Sequence, residues 1–146
     1  MDELVDIVDV QDRVIGRAAR SEAKARGLLH RVANIVLVHE GKLLLQQRSQ
    51  KKQSLPGAWD VSATGHVGSG EGYDAAATRE TKEELGIDAK LTAARGPHVQ
   101  DNQEGCTPEM AVRFLGNHAG PFTLQKSEVA QVRWFTLVEV RVAVEK

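Results

Sequence analysis

The densest apolar run in the chain lies in residues 31–39, where Val32, Ile35, Val36, Leu37 and Val38 are nearly continuous. A run this short and rich in β-branched residues predicts a strand buried on both faces. Glu40-Gly41 turns it into a second strand over residues 42–48, in which Leu43 and Leu45 alternate with polar neighbours. Upstream, residues 4–10 alternate loosely and Val14-Ile15 follows a polar Gln11-Asp12-Arg13 turn, predicting an N-terminal hairpin. Ser21 is placed to cap a short helix, SEAKAR, that Gly27 ends. After a basic loop over residues 49–56, Pro56-Gly57 is a turn, and residues 59–64 are expected as a strand. Residues 66–72 form a glycine-rich loop.

Downstream the pattern is weaker. Residues 91–94 suggest a strand, and residues 96–108 a long polar loop able to border a pocket. Met110, Val112 and Phe114 alternate in a further strand, residues 122–124 suggest a short piece, and residues 129–135 end in Trp134-Phe135. Residues 137–144 begin a last helix, short enough that part of the natural C-terminus is expected to lie beyond it. Strands around one well-marked helix, with another helix at the end, predict a mixed sheet held between helices.

The well-marked helix is residues 73–85. Three alanines are followed by Arg, Glu and Lys, with no internal Pro or Gly, and Gly86 is a natural stop. At about 100° per residue, Glu80, Glu83 and Glu84 share one arc beside Ala76 and Tyr73. Ala77, Thr78, Thr81 and Leu85 fall on another arc, suited to lying against a sheet. Like charges at these spacings oppose one another by roughly 0.2–0.5 kcal/mol per pair. Such a cluster is usually a solvated acidic face. Its alternative is a seat for a hard cation, since magnesium prefers carboxylate oxygens and completes its shell with substrate phosphates.

The wider stretch decides between them. GHVGSGEGYDAAATRETKEELGI carries Gly65, Glu71, Arg79-Glu80, Glu83-Glu84, Gly86 and Ile87 at spacings that resemble the signature of the Nudix hydrolases. It departs at Thr81, where the family usually has an aliphatic residue; facing the sheet, Thr81 should weaken packing slightly rather than alter the chemistry. The resemblance implies a Nudix-type α/β/α sandwich with a mixed central sheet. It further implies a magnesium-dependent hydrolase, with manganese as the alternative ion, acting on a nucleoside diphosphate derivative or related pyrophosphate by water attack at phosphorus. Carried over position by position, Glu83 and Glu84 are metal ligands and Glu80 a further ligand or the base, with the proton-abstracting carboxylate left unassigned. Arg79 would orient the carboxylates, Gly65 would bring backbone to the metal, and Glu71 would support the loop–helix junction or pair with Arg79.

A finer resemblance joins the opening DELVDIVDVQDRVIGRAARSEAKARGLLHR and the segment WDVSATGH to the Nudix branch containing type 1 isopentenyl diphosphate isomerase. Those isomerases use a cysteine just before the signature glycine; here that place holds Thr64, a far poorer acid than a thiol. His30, His66 and Glu109 fall where that branch has metal ligands, although each would also serve as an ordinary imidazole or solvated carboxylate. Thr64 and the intact signature helix favour hydrolysis over isomerisation. A non-catalytic nucleotide-binding sensor is a third reading, disfavoured by the retained carboxylates.

Composition adds boundaries. With 146 residues, 41% hydrophobic and 27% charged, the chain is expected to form one domain over residues 1–146 with a real core. A net charge of −1 supplies no field for nucleic acid, though a small nucleotide remains compatible. No apolar run reaches a membrane span, the MDELVD start is unlike a signal peptide, and a lone Cys106 suits a reducing cytoplasm. Arg48, Lys51 and Lys52 are candidates for substrate phosphates, with ordinary solvation as the alternative. Trp59, Tyr73, Phe114 and Trp134 are candidates for stacking a base, with a core role as the alternative. Substrate choice is expected from the loops over residues 49–56 and 96–108.

Overall fold

The computed structural model describes residues 2–52, 55–100 and 107–145. In chain order the elements are β1 (Leu4–Val8), β2 (Val14–Ala19), α1 (Arg20–Ala25), β3 (His30–His39), β4 (Lys42–Arg48), β5 (Trp59–Asp60) and β6 (Ala63–His66). They continue with α2 (Tyr73–Leu85), β7 (Leu91–Gln100), β8 (Glu109–Asn117), β9 (Val129–Phe135) and α3 (Leu137–Glu145). The strands form one mixed sheet, and β3 is its hub. Along one side β3 pairs in parallel with β8, from His30↔Glu109 to Val38↔Asn117. On the other side it is shared: β4 takes residues 37–39, and β6 takes residues 32–35.

That sharing positions the site. After the Leu37↔Leu44 pair, β4 parts from β3 and continues with β5 and β9 as partners. Ser62 spans the parting: its hydroxyl accepts from the Leu37 amide at 2.7 Å and donates to the Leu44 carbonyl. Two backbone groups that would otherwise be buried without partners are thereby satisfied. Over the gap lies α2, packed on β6 and β3 by Ala76, Ala77, Thr81 and Leu85. Below it sit Ile35, Leu37, Leu44, Val112 and Phe114. Full burial of such side chains contributes about 1.5–3 kcal/mol each.

Several boundaries differ from those expected. Ser21 does not cap α1; the cap position is Ala19, which makes no side-chain cap bond, and the Ser21 hydroxyl instead meets the Asp2 carboxylate. The strand expected over residues 59–64 is two short strands, because β5 follows β4 while β6 follows β3. His66 therefore ends a strand rather than beginning a loop. On α2, Thr78 is exposed while Ala76 and Glu84 are buried, so the packed flank is rotated toward the carboxylates. The expected strand over residues 91–94 runs on to Gln100, with irregular register against β8. The rest of the expected 96–108 loop falls largely on residues 101–106; these, including Cys106, lie outside the described residues. Residues 122–124 form no strand; Phe122 and Leu124 pack against the core.

Candidate active site

Helix α2 presents its carboxylates at graded depth. Glu84 is only 5% exposed, Glu80 lies above it partly covered, and Glu83 is open to solvent. Gly65 on β6 makes room for this arrangement, since a Cβ there would overlap the Glu80 carboxylate. The signature glycine is thus a steric requirement of the carboxylate beside it. Glu84 Oε1 accepts from Gln46 Nε2 at 2.8 Å and from the Thr64 amide at 3.3 Å.

Arg79 ties the helix to the preceding loop. Its Nε and Nη2 donate to the two oxygens of Glu71 at 3.0 and 2.9 Å, a paired fork. Nη2 also donates to the His66 carbonyl at 3.0 Å, and Nη1 to Glu80 Oε1 at 2.7 Å and Glu83 Oε2 at 3.4 Å. Glu71 additionally accepts from the Gly68 amide at 3.0 Å. Both roles considered for Glu71 are therefore present: it braces the loop and pairs with Arg79. The Arg79 hydrogen bonds hold the Glu71 carboxyl below its ordinary range.

The inner pair behaves oppositely. Burial, reinforced by Glu80, pushes Glu84 up to about 9. Burial likewise raises Glu80, even with Arg79 beside it. Two carboxylates facing each other in a dry wall repel unless a proton or a cation intervenes. An all-oxygen donor set of this kind fits a hard divalent ion.

A second cluster lies on the neighbouring strands. His30, His66 and Glu109 each offer one ligand atom, all within 4.8 Å of one another. The rings of His30 and His66 stack with centroids 5.2 Å apart. His30 Nδ1 is bonded to the Leu28 carbonyl at 2.9 Å, which leaves Nε2 as the lone-pair nitrogen. The Nε2 atoms of both histidines are buried without a hydrogen-bond partner among the described residues. Burial, then Arg20 and His30, push His66 down to about 2, so its ring stays neutral and able to ligate. Buried imidazole nitrogens aimed at a carboxylate fit a borderline metal such as zinc.

Both clusters border one cavity of about 690 Å³, with Thr64, Gly65, His66, Arg79, Glu80, Glu83, Glu84 and Glu109 in its wall. Arg48 and Lys52 border it as well; Arg48 lies 3.4 Å from Asp60, and Lys52 pairs with Glu128. Lys51 is exposed and is not part of the wall. The aromatic candidates resolve toward packing. Phe114 is buried in the core, Tyr73 donates to Asp12 at 2.9 Å, and Trp134 tilts against Phe122 and His39. Trp59 reaches the cavity rim, but its ring meets Phe135 edge-on and Arg133 lies over it. Motif reading passed over Gln46, Asn34 and Gln100. Asn34 accepts from the Thr64 hydroxyl at 2.7 Å and donates to Gln100 at 2.8 Å. Asn34 alone carried a signal, as a polar side chain inside the apolar run of β3, whereas Gln46 stands beside the polar Gln47 and Arg48.

A family model described as the NUDIX domain matches residues 28–146. The chain belongs to the Nudix family. It is 39% identical over 140 residues to an uncharacterized Nudix hydrolase of Yersinia pestis, covering 94% of this chain and 75% of that one. The uncharacterized Nudix hydrolase YfcD of Escherichia coli K12 matches equally, at 39% over 140 residues, 94% of this chain and 76% of its own. Among solved structures, DR0079 from Deinococcus radiodurans superposes with a TM-score of 0.80 at 26% identity, over 99% of this chain and 91% of that one. The Nudix domain of NrtR from Shewanella oneidensis, complexed with ADP ribose, shares the fold at a TM-score of 0.63 and 17% identity, over 77% and 75% of the two chains. The expected Nudix-type sandwich with a mixed central sheet is thereby the fold. The protein is a Nudix pyrophosphohydrolase, of a family that generally depends on a divalent metal. Among the described residues, no helix is long and apolar enough to cross a membrane.

Proposed function

We propose that this single Nudix domain is a magnesium-dependent hydrolase of the diphosphate linkage in a nucleoside diphosphate derivative. The observation that carries the reading is the facing of Glu80 and Glu84 in the cavity wall, both with raised pKa. Glu84, Glu80 and the more open Glu83 would hold the ion, with the Gly65 backbone alongside. When bound, such an ion would polarise a phosphoryl group and lower the pKa of water near it. The chain's own residues do the rest. Arg79 holds Glu80 and Glu83 in register through its bonds to Glu71 and the His66 carbonyl. Arg48 and Lys52, on the same cavity, would meet the charge of the transferred phosphoryl group. The nucleoside part is supported by analogy with the ADP-ribose complex of the NrtR domain. A cytoplasmic location is supported by the lone cysteine, which suits a reducing compartment.

A second ion position at His30, His66 and Glu109 is supported by the two unsatisfied Nε2 atoms. That cluster also favours the isomerase-like alternative, whose proton donor would have to be Thr64. The Thr64 hydroxyl is already committed to Asn34, and it is a weak acid. The experiment is a panel of nucleoside diphosphate and triphosphate derivatives with magnesium, run in ¹⁸O-labelled water. Label in a phosphate product, with loss of turnover in Glu84→Gln, is expected. No turnover, with tight nucleotide binding, would favour a sensor, and deuterium uptake by isopentenyl diphosphate from heavy water would favour the isomerase.

A further inference from the structure

Gln46 lies in the middle of β4, is only 2% exposed, and takes no part in the signature. Its Nε2 donates to two oxygens, Glu84 Oε1 at 2.8 Å and the Ser62 carbonyl at 3.1 Å. Both neighbours are acceptors, so the amide has one consistent orientation, with nitrogen toward them. The anchor is a backbone carbonyl that cannot titrate, and Ser62 is itself fixed by bonds to Leu37 and Leu44 where β4 parts from β3. The Thr64 amide donates to the same Glu84 oxygen from β6. Glu84 is thus gripped through Oε1 by both strands of the divided sheet, and its other oxygen is left for the side of Glu80.

We infer that Gln46 is a positioning residue for metal binding: its carboxamide locks the Glu84 carboxylate so that one oxygen is presented to the ion. The inference rests on the reading of Glu84 as a ligand. Partners that orient a ligating group typically change metal affinity by 10–100-fold when removed, whereas a merely space-filling glutamine would change stability alone. A methionine at this position keeps the length and removes both N–H donors.

The test is direct titration of the metal-free protein with manganese, without substrate, followed by calorimetry and by electron paramagnetic resonance. Gln46→Met should weaken binding about 10–100-fold. The double variant with Glu84→Gln should bind no more weakly than Glu84→Gln alone, because both changes act through one carboxylate. Circular dichroism checks the fold; if the methionine variant does not hold it, Gln46→Asn is read instead, with the amide drawn back by one methylene. At saturating manganese, kcat should recover while KM for substrate stays near wild type. Wild-type affinity in Gln46→Met, or additive losses in the double variant, would overturn the inference while leaving Glu84 as a ligand. If Glu84→Gln itself binds manganese like wild type, the metal reading of the carboxylates fails instead.

Discussion

Replacing Glu84 by glutamine should stabilise the metal-free protein while removing its activity. Burial against Glu80 lifts the Glu84 carboxyl from 4.5 to about 9, so the native state at about pH 8 holds a proton that the unfolded chain has released. Stability of this origin is complete below the unfolded value, near 4.5, and is lost as pH rises toward the folded one. At about 1.4 kcal/mol per pH unit, the window up to about pH 8 sets a ceiling of about 5 kcal/mol. Sharing of the proton with Glu80 holds the gain below that ceiling. Glutamine is neutral throughout and keeps the oxygen that Gln46 reaches at 2.8 Å, so it escapes the loss. The assay is thermal unfolding in chelator from about pH 5 to about pH 8. The variant should match wild type at the acid end and exceed it by roughly 5–10 °C at the alkaline end. Adding magnesium should reverse the order, stabilising wild type far more than the variant. A pH-independent difference, or equal gains from magnesium, would refute the idea that a proton and a cation compete for the same pair.

Gly65→Ala forces a methyl group onto the Glu80 carboxylate; urea unfolding should show a loss of about 1–3 kcal/mol, with weakened magnesium binding. Unchanged binding would mean that Glu80 need not sit where it does. Arg79→Lys replaces a paired fork to Glu71 with a single point charge. Turnover should fall about 10–100-fold, as expected for loss of one charged hydrogen bond, with little change in KM; a pure KM effect would make Arg79 a substrate contact. His66→Ala should remove one equivalent of zinc from a titration while the magnesium requirement of turnover persists, and an unchanged stoichiometry would show that the histidine cluster is only packing.

Much of this fold was legible because its signals are local. The β3 run, the Glu40-Gly41 turn and the α2 helix with its Gly86 stop depend on residues adjacent in sequence, and the left-handed conformation of Gly86 bears this out. What was misread depends on partners far along the chain. The break between β5 and β6 follows from the parting of β4 and β3, which no local pattern encodes. The rotation of the α2 packed flank, which exposes Thr78 and buries Glu84, is likewise set by tertiary packing, since a helical arc fixes neighbours but not which of them the sheet will cover. The carboxylates and Arg79 could be named from spacing. Gln46 could not, because a glutamine among the polar residues at the end of β4 gives no sign of the partner its amide finds on another element.

The central claim is that a divalent ion belongs between Glu80 and Glu84, against a diphosphate. Its most direct test is a crystal grown with manganese and a nucleoside diphosphate, read by anomalous scattering. A peak bridging Glu80 and Glu84, with phosphate oxygens on its open side, is the predicted result. A peak confined to His30, His66 and Glu109, with the carboxylate pair still sharing a proton and no phosphate near α2, would contradict it.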